Sequence, residues 1–101
     1  YDEAIKDLDK AIELNPQDYS AYNNRGDANY ALKRYDEAIK DYDKAIELNP
    51  QDSEAFYNRG LAKYDLKRYE EAIKDYDKAI ELNPEYSVAY NNRGSKIFYG
   101  I

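Results

Sequence analysis

Apolar residues recur every three or four positions in a segment that the chain repeats. In residues 35–48 these positions are Ala38, Ile39, Tyr42, Ala45, Ile46 and Leu48. The spacing places them on one face of an amphipathic helix, because an α-helix turns by about 100° per residue. The opposite face is expected to lie in solvent and carries Asp36, Glu37, Lys40, Asp41, Lys44 and Glu47. The pattern therefore predicts helices and gives no support to strands.

A second kind of segment, typified by residues 53–65, mixes small and aromatic side chains. It contains Ala55, Phe56, Gly60, Ala62 and Tyr64. Small residues allow a helix to approach its neighbours closely, so this segment is predicted to be a closely packed helix.

Turn signals separate the two kinds of segment. Asn49-Pro50 must end a helix, because proline has no amide hydrogen and restricts the residue before it. Asp52 or Ser53 can then cap the next helix. The short connection Lys67-Arg68 predicts antiparallel neighbours, as short links between helices do.

The two kinds of segment alternate with a period of 34 residues. Residues 1–17 and 35–51 differ only at Leu8, which Tyr42 replaces, and residues 69–84 give a third copy. Such a period indicates a repeat architecture. We expect one domain over residues 1–101, divided into a half repeat (1–17, a second helix), full repeats (18–51 and 52–85) and a half repeat (86–101, a first helix).

A 34-residue helix–turn–helix unit resembles the tetratricopeptide repeat (TPR). The positions that match the family pattern are Tyr22, Gly26, Ala38, Tyr42, Ala45 and Pro50, then Phe56, Gly60, Ala72, Tyr76, Ala79 and Pro84. The resemblance implies an all-α fold, an α-solenoid of stacked antiparallel helix pairs wound into a right-handed TPR superhelix. We expect six helices, at residues 2–14, 18–31, 35–48, 53–65, 69–82 and 87–99.

The helical stripes and the family pattern together predict the core. Its members are Ala4, Ile5, Leu8, Ala11, Ile12, Ala21, Tyr22, Gly26, Ala28, Ala38, Ile39, Tyr42, Ala45, Ile46, Ala55, Phe56, Gly60, Ala62, Ala72, Ile73, Tyr76, Ala79 and Ile80.

The chain departs from the family pattern at two positions of each repeat. The position before the glycine holds Arg25, Arg59 and Arg93 in place of leucine, and the second aromatic position holds Asn29, Lys63 and Ile97. Arginine can bury its stem and pair its guanidinium group with a carboxylate, here Asp41 or Asp75. We expect Arg25 or Arg59 to lie within salt-bridge distance of an aspartate on a neighbouring helix; the alternative is an arginine that faces solvent.

Composition narrows the function. The chain has 101 residues, a net charge of −6, no cysteine and no histidine, which excludes disulfides, thiol nucleophiles and imidazole bases. The acidic balance and the interspersed cations disfavour nucleic acid as a partner. No apolar run reaches the ~18 residues of a membrane span, so no membrane partner is expected. A cytoplasmic location is the default, although a chain beginning at Tyr1 without methionine looks like a fragment.

The chain is not expected to be an enzyme. Paired catalytic carboxylates need one desolvated member, whereas Asp7, Asp9 and Glu13 and their copies are expected on the outer face of a helix. The calcium-loop pattern does not occur, and the four glycines are isolated, so no metal or cofactor is expected.

The internal copies differ most on one arc of the first helix of each pair. The varying sites include Ser20/Glu54, Asn23/Tyr57, Asp27/Leu61 and Ala31/Asp65. The resemblance implies that this arc lines a concave groove, which takes an extended peptide or a partner helix. The candidate peptide-binding residues are Asn23, Asn24, Asp27, Tyr30, Tyr57, Asn58, Leu61, Tyr64, Asp65, Asn91 and Asn92. A clamp for a chaperone-tail carboxylate is not expected, because Asn23 and Asp27 stand where the family uses a lysine and an asparagine.

An alternative fits the near-identity of the copies: a consensus-like or designed scaffold, without its own ligand, that associates head to tail. The chain opens with a second helix and closes with a first helix, and three repeats span 102 residues, so a second copy would continue the register. The candidate self-association residues are Tyr1, Ile5, Leu8, Ile12, Ile97, Phe98, Tyr99 and Ile101.

Overall fold

The computed structural model describes residues 1–85, which form five α-helices joined by short turns. They are α1 (Asp2–Leu14), α2 (Tyr19–Ala31), α3 (Tyr35–Leu48), α4 (Ser53–Asp65) and α5 (Tyr69–Leu82). The bounds agree with the predicted ones to within one residue, and the predicted class of an all-α helical-repeat solenoid is confirmed. The sixth predicted helix, 87–99, lies outside the described residues.

Each helix packs on the next one along the chain, and α2 also contacts α4. The pairs α1/α3 and α3/α5 approach each other less closely than α2 and α4 do. A two-layered stack curves toward the layer whose helices are closer together. The layer formed by α2 and α4 is therefore the inner, concave layer, and α1, α3 and α5 form the outer layer.

The two inner helices begin and end in the same way. The Asp52 side chain accepts hydrogen bonds from the backbone amides of Glu54 and Ala55, which confirms the predicted cap, and Asp18 accepts one from Ser20. At the other end, Lys33 and Lys67 adopt left-handed φ values of 62° and 64°. The identical turns give both helix pairs the same geometry.

The core places a large ring against a glycine in each full repeat. A Cβ atom on Gly26 would lie 2.7 Å from Cε1 of Tyr42, and one on Gly60 would lie 2.7 Å from Cε1 of Tyr76. Both tyrosines are only 1% exposed. The ring fills the space that any side chain at the glycine would need.

The predicted core is wrong at Ala4, which is exposed, and incomplete for the rest of α1, which has no buried residue. Among the described helices α1 packs mainly on α2. The other predicted core residues that are only half-buried are Ile5, Leu8, Ala11, Ile12, Ile46, Phe56, Ile73 and Ile80.

Several buried residues were not predicted. The residues Asn23, Asn29, Asp41 and Asp75 are all no more than 7% exposed. The prediction that Asp41 faces solvent is wrong, because side chains of α2 cover and pair with it.

Candidate functional site

The concave face consists of the side chains that α2 and α4 present on the inner layer. Its members are Ser20, Asn23, Asn24, Asp27, Tyr30 and Ala31 from α2, with Glu54, Tyr57, Asn58, Leu61, Tyr64 and Asp65 from α4.

Hydrogen bonds cross this face from one repeat to the next. The Asn23 amide donates to Asp52 Oδ2 at 2.6 Å, and the Asn58 amide donates to Asp27 Oδ1 at 3.3 Å. At the far end, the Tyr30 hydroxyl donates to Asp65 Oδ2 at 2.5 Å. Predicted binding residues of successive repeats are thus brought together and hold one another in place.

Asp27 is the most connected residue of the concave face. Besides Asn58, it accepts a hydrogen bond of 2.6 Å from the hydroxyl of Tyr42, which reaches through from α3. Burial raises the pKa of Asp27, the Tyr42 hydrogen bond works against that rise, and the charge of Asp52 adds to it. Burial and the hydrogen bond to Asp27 also raise the pKa of Tyr42. The carboxylate thus ties the concave face to the core.

The aromatic members of the face differ in how much surface they offer. Tyr57 is only 6% exposed and packs on Tyr76, with ring centroids 5.7 Å apart. Leu61 and Tyr64 are half-buried, and Tyr64 makes an edge-on contact with Tyr69 at 5.0 Å. Leu61 and Tyr64 therefore offer more apolar surface to a ligand than Tyr57 does.

The concave face is acidic. Together with the adjoining helix cap it contains the carboxylates of Asp27, Asp52, Glu54 and Asp65, and it contains no lysine or arginine. Within residues 1–85 none of these four carboxylates forms an ion pair. Burial, followed by the charges of Asp52 and Asp27, raises the pKa of Glu54.

On the other side of α2 and α4, carboxylates are paired with arginine. Arg25 bridges Asp9 of α1 at 2.8 Å and Asp41 of α3 at 2.7 Å. Arg59 bridges Asp43 of α3 at 2.8 Å and Asp75 of α5 at 2.7 Å. We refer to these six residues as the arginine seam. The predicted salt bridges to Asp41 and Asp75 are confirmed.

Sequence reasoning missed two of the four salt bridges in the arginine seam. Asp9 and Asp43 were not foreseen as partners, although each arginine lies sixteen residues from both of its aspartates. The residues that replace the second aromatic of the family pattern bind two of these aspartates as well. Asn29 donates to Asp41 at 3.0 Å, and Lys63 pairs with Asp75 at 3.1 Å. The constant spacing and the joint replacement were the signals that could have revealed the seam.

The predicted self-association residues of α1 are partly used within the chain. Tyr1 is 71% exposed, and Ile5 and Leu8 are half-exposed. Ile12 packs against the buried cluster that includes Tyr22. The remaining predicted site residues lie outside the described part of the chain: Asn91, Asn92, Ile97, Phe98, Tyr99 and Ile101.

Residues 1–85 contain no group of three or more acidic, histidine or cysteine side chains that could hold a metal ion. No helix in this range combines the length and the apolar character that crossing a membrane requires.

Three solved structures illustrate what the chain is similar to. The first TPR of Spaghetti (RPAP3), bound to the HSP90 peptide SRMEEVD, shares 35% identity at a TM-score of 0.91, with 99% of this chain and 79% of that chain covered. The TPR2B domain of yeast Sti1, in a pHsp70 complex, shares 28% identity at a TM-score of 0.81, with coverage of 94% and 77%. YrrB, described as a TPR protein with an unusual peptide-binding site, shares 30% identity at a TM-score of 0.78, with coverage of 85% and 44%.

Sequence profiles agree with the structural comparisons, while no curated protein matches the chain. A profile described as Tetratricopeptide repeat matches residues 1–53, and a second with the same description matches residues 53–86. The repeat period, the glycine–tyrosine packing and these matches lead to one conclusion: the chain belongs to the tetratricopeptide repeat family.

Proposed function

We propose that the chain binds an extended peptide or a partner helix on its concave face. The coarser statement, a TPR scaffold of the kind that mediates protein interactions, follows from the family. The Spaghetti neighbour is bound to an HSP90 peptide and the Sti1 neighbour is a pHsp70 complex, which supports a peptide as the ligand here.

The observation that carries the proposal is the row of hydrogen bonds across the concave face. The bonds Asn23–Asp52, Asn58–Asp27 and Tyr30–Asp65 fix side chains of two repeats relative to each other. A face whose side chains are already ordered loses less conformational entropy when a ligand binds. Leu61 and Tyr64 supply apolar contact area beside these polar groups.

A peptide library tests the proposal. We expect peptides selected on the parent protein to bind the double variant Leu61→Ala/Asn58→Ala at least tenfold more weakly in fluorescence anisotropy. The matched control is Lys74→Ala, which changes an exposed residue of α5 and should leave affinity unchanged. Ligands that bind the double variant as tightly as the parent would place the binding site elsewhere.

A second candidate function, head-to-tail self-association, is favoured by the exposed apolar side chains of α1. Tyr1 is 71% exposed and Leu14 is 74% exposed, and the side chains of Ile5 and Leu8 are half-buried. Burying such residues against a second copy would be favourable. Light scattering should show a mass that rises with concentration, and Ile5→Glu should abolish the rise. A mass of one chain at every concentration would reject this candidate.

A further inference from the structure

The concave face opens into a cleft at the start of α2 and α4. It is lined by Tyr19, Ser20, Asn23, Asn24, Asp52 and Glu54, and we refer to these six residues as the acidic cleft. Its volume is about 330 Å³, which is many times the ~30 Å³ that one water molecule occupies in the liquid. The acidic cleft therefore has room for the end of a long side chain.

The buried amide of Asn23 shows what chemistry the acidic cleft lacks. Asn23 is 6% exposed, and its nitrogen donates to Asp52 at 2.6 Å. Its oxygen has no hydrogen-bond partner among residues 1–85. The opposite orientation of the amide would turn that oxygen toward a carboxylate, so the nitrogen must face Asp52. A buried acceptor without a donor costs free energy that a ligand donor would recover.

The charged groups of the acidic cleft are all acceptors, while the donors in it, the hydroxyls of Tyr19 and Ser20 and the amide of Asn24, are neutral. Beside the oxygen of Asn23 stand the carboxylates of Asp52 and Glu54, which form no ion pair within residues 1–85. A group with several N–H donors and a positive charge satisfies such a set, and only the lysine ammonium and the arginine guanidinium provide it among peptide side chains at neutral pH. Tyr19 is 38% exposed, so its ring can also contact a cation.

Building on the proposed function, we propose that the concave face selects a basic peptide segment, one whose lysine or arginine side chain enters the acidic cleft and pairs with Asp52, Glu54 and the Asn23 oxygen. Asp27 and Asp65 extend the negative charge along the face, so a second basic residue of the same segment would also be favoured.

The same charges act against acidic ligands. The peptide in the Spaghetti complex, SRMEEVD, contains three acidic residues. On the concave face of this chain such a segment would meet four carboxylates and no cation, and like charges brought together oppose binding. Basic, neutral and acidic segments should therefore bind in that order of affinity.

The test uses three labelled peptides of one backbone, in which two positions are arginine, serine or glutamate, and the full chain as the binding protein. In anisotropy at low salt, the arginine peptide should bind at least tenfold more tightly than the serine peptide. The glutamate peptide should not bind measurably. Raising the salt concentration should reduce the difference in affinity between the arginine and serine peptides, because salt screens the interaction between exposed charges.

Matched variants distinguish the effect of the acidic cleft on peptide affinity from the effect of the overall charge of −6. Asp52→Asn/Glu54→Gln removes two charges and keeps a good helix cap, so it should weaken the arginine peptide at least tenfold. Asp36→Asn/Glu37→Gln removes two exposed charges from α3. It should leave the affinity for the arginine peptide within about twofold, because the removed charges lie in the outer layer, away from the ligand. Asn23→Leu, which deletes the unpaired acceptor, should also weaken binding.

Each other outcome overturns the inference. Equal weakening by the two double variants would mean general attraction between a basic peptide and an acidic protein. Equal affinity for all three peptides would reject the charge selection and leave the proposed function standing, whereas failure of every peptide to respond to Leu61→Ala/Asn58→Ala would reject the proposed function itself. A dimer that forms without peptide and disappears in Asp52→Asn/Glu54→Gln would make a second copy the occupant.

Discussion

The arginine seam and the concave face both contain aspartates, but the two regions use this residue type in opposite ways. In the seam, Asp41 and Asp75 are buried and each is held by an arginine and a second donor. On the concave face, the donors that Asp27 and Asp65 meet within residues 1–85 are all neutral and come from Tyr42, Asn58 and Tyr30. In the seam, paired charges therefore join neighbouring helices. On the concave face, no cation within residues 1–85 balances the carboxylates, so they can interact with a ligand.

The largest effect is expected where the seam is broken. Asp75→Ala leaves Arg59 without its inner partner and takes from Lys63 its contact at 3.1 Å. Removing one member of a buried pair costs about 3–5 kcal/mol, and we expect about 3 kcal/mol here because Arg59 keeps Asp43. The free energy of unfolding from urea titration measures the loss.

Asp65→Ala provides the control from the concave face. It removes an exposed carboxylate that accepts one hydrogen bond from Tyr30, and surface changes of this kind stay within about 0.5 kcal/mol. Equal losses for Asp75→Ala and Asp65→Ala would contradict the distinction between the two regions.

The next effect concerns how closely α3 packs against its neighbouring helices, compared with an exposed site on α2. Ala38 is 0% exposed between helices, so Ala38→Leu should overpack the interface and cost about 2 kcal/mol. Ala31→Leu adds the same atoms at an exposed site of α2 and should change stability little. The melting temperatures of the two variants measure this difference in stability. An Ala38→Leu variant with the melting temperature of the parent would mean that α3 packs less closely than the structure shows.

These two regions also show how far the sequence could predict the molecule. Helix bounds followed from periodicity and from Asn-Pro and aspartate caps, which are local signals, and the predicted bounds hold within one residue. Asp41 was expected in solvent because the pattern of polar and apolar residues within one helix carries no information about the side chains of the helices that pack against it. Its burial depends on Arg25 and Asn29 of α2, which only the tertiary arrangement brings together.

The binding residues illustrate the same limit. Repeat variation pointed to the arc that contains Asn23 and Tyr57, but it did not distinguish a side chain that faces a ligand from one that faces the core. Tyr57 packs on Tyr76, whereas its counterpart Asn23 reaches the cap of the next helix. The partner of Asn23 lies 29 residues away, and no periodicity within a helix encodes that contact.

A smaller effect separates the capping role of Asp52 from its role on the concave face. Asp18→Ala and Asp52→Ala each remove an N-terminal cap, at a cost of about 1 kcal/mol. Only Asp52→Ala also removes the partner of the Asn23 amide, so it should cost about 1 kcal/mol more. Urea titration of both variants checks the difference, and equal losses would show that the Asn23 contact contributes nothing.

The smallest effect is a pH dependence that belongs to the concave face alone. Burial raises the pKa of Asp27 and of Glu54, and the neighbouring charge of Asp52 raises both further. The two carboxyls therefore take up protons at a higher pH than in the unfolded chain, where aspartate and glutamate titrate near pH 4. A bound cation favours the ionised forms, so a basic peptide should lose affinity as the pH falls from neutral through the raised pKa values of these two carboxyls.

Loss of folding cannot imitate this dependence on Asp27 and Glu54. The folded state binds their protons more tightly than the unfolded chain does, so the contribution of these two groups to stability grows as the pH falls through their raised pKa values. The arginines of the seam keep their charge throughout, because pairing with carboxylates raises the pKa of Arg25. Anisotropy across the pH range, with circular dichroism on the same samples, measures both quantities. Asp52→Asn/Glu54→Gln should flatten the affinity profile while Asp36→Asn/Glu37→Gln leaves its slope intact, and identical slopes in both variants would assign the pH dependence to the peptide instead.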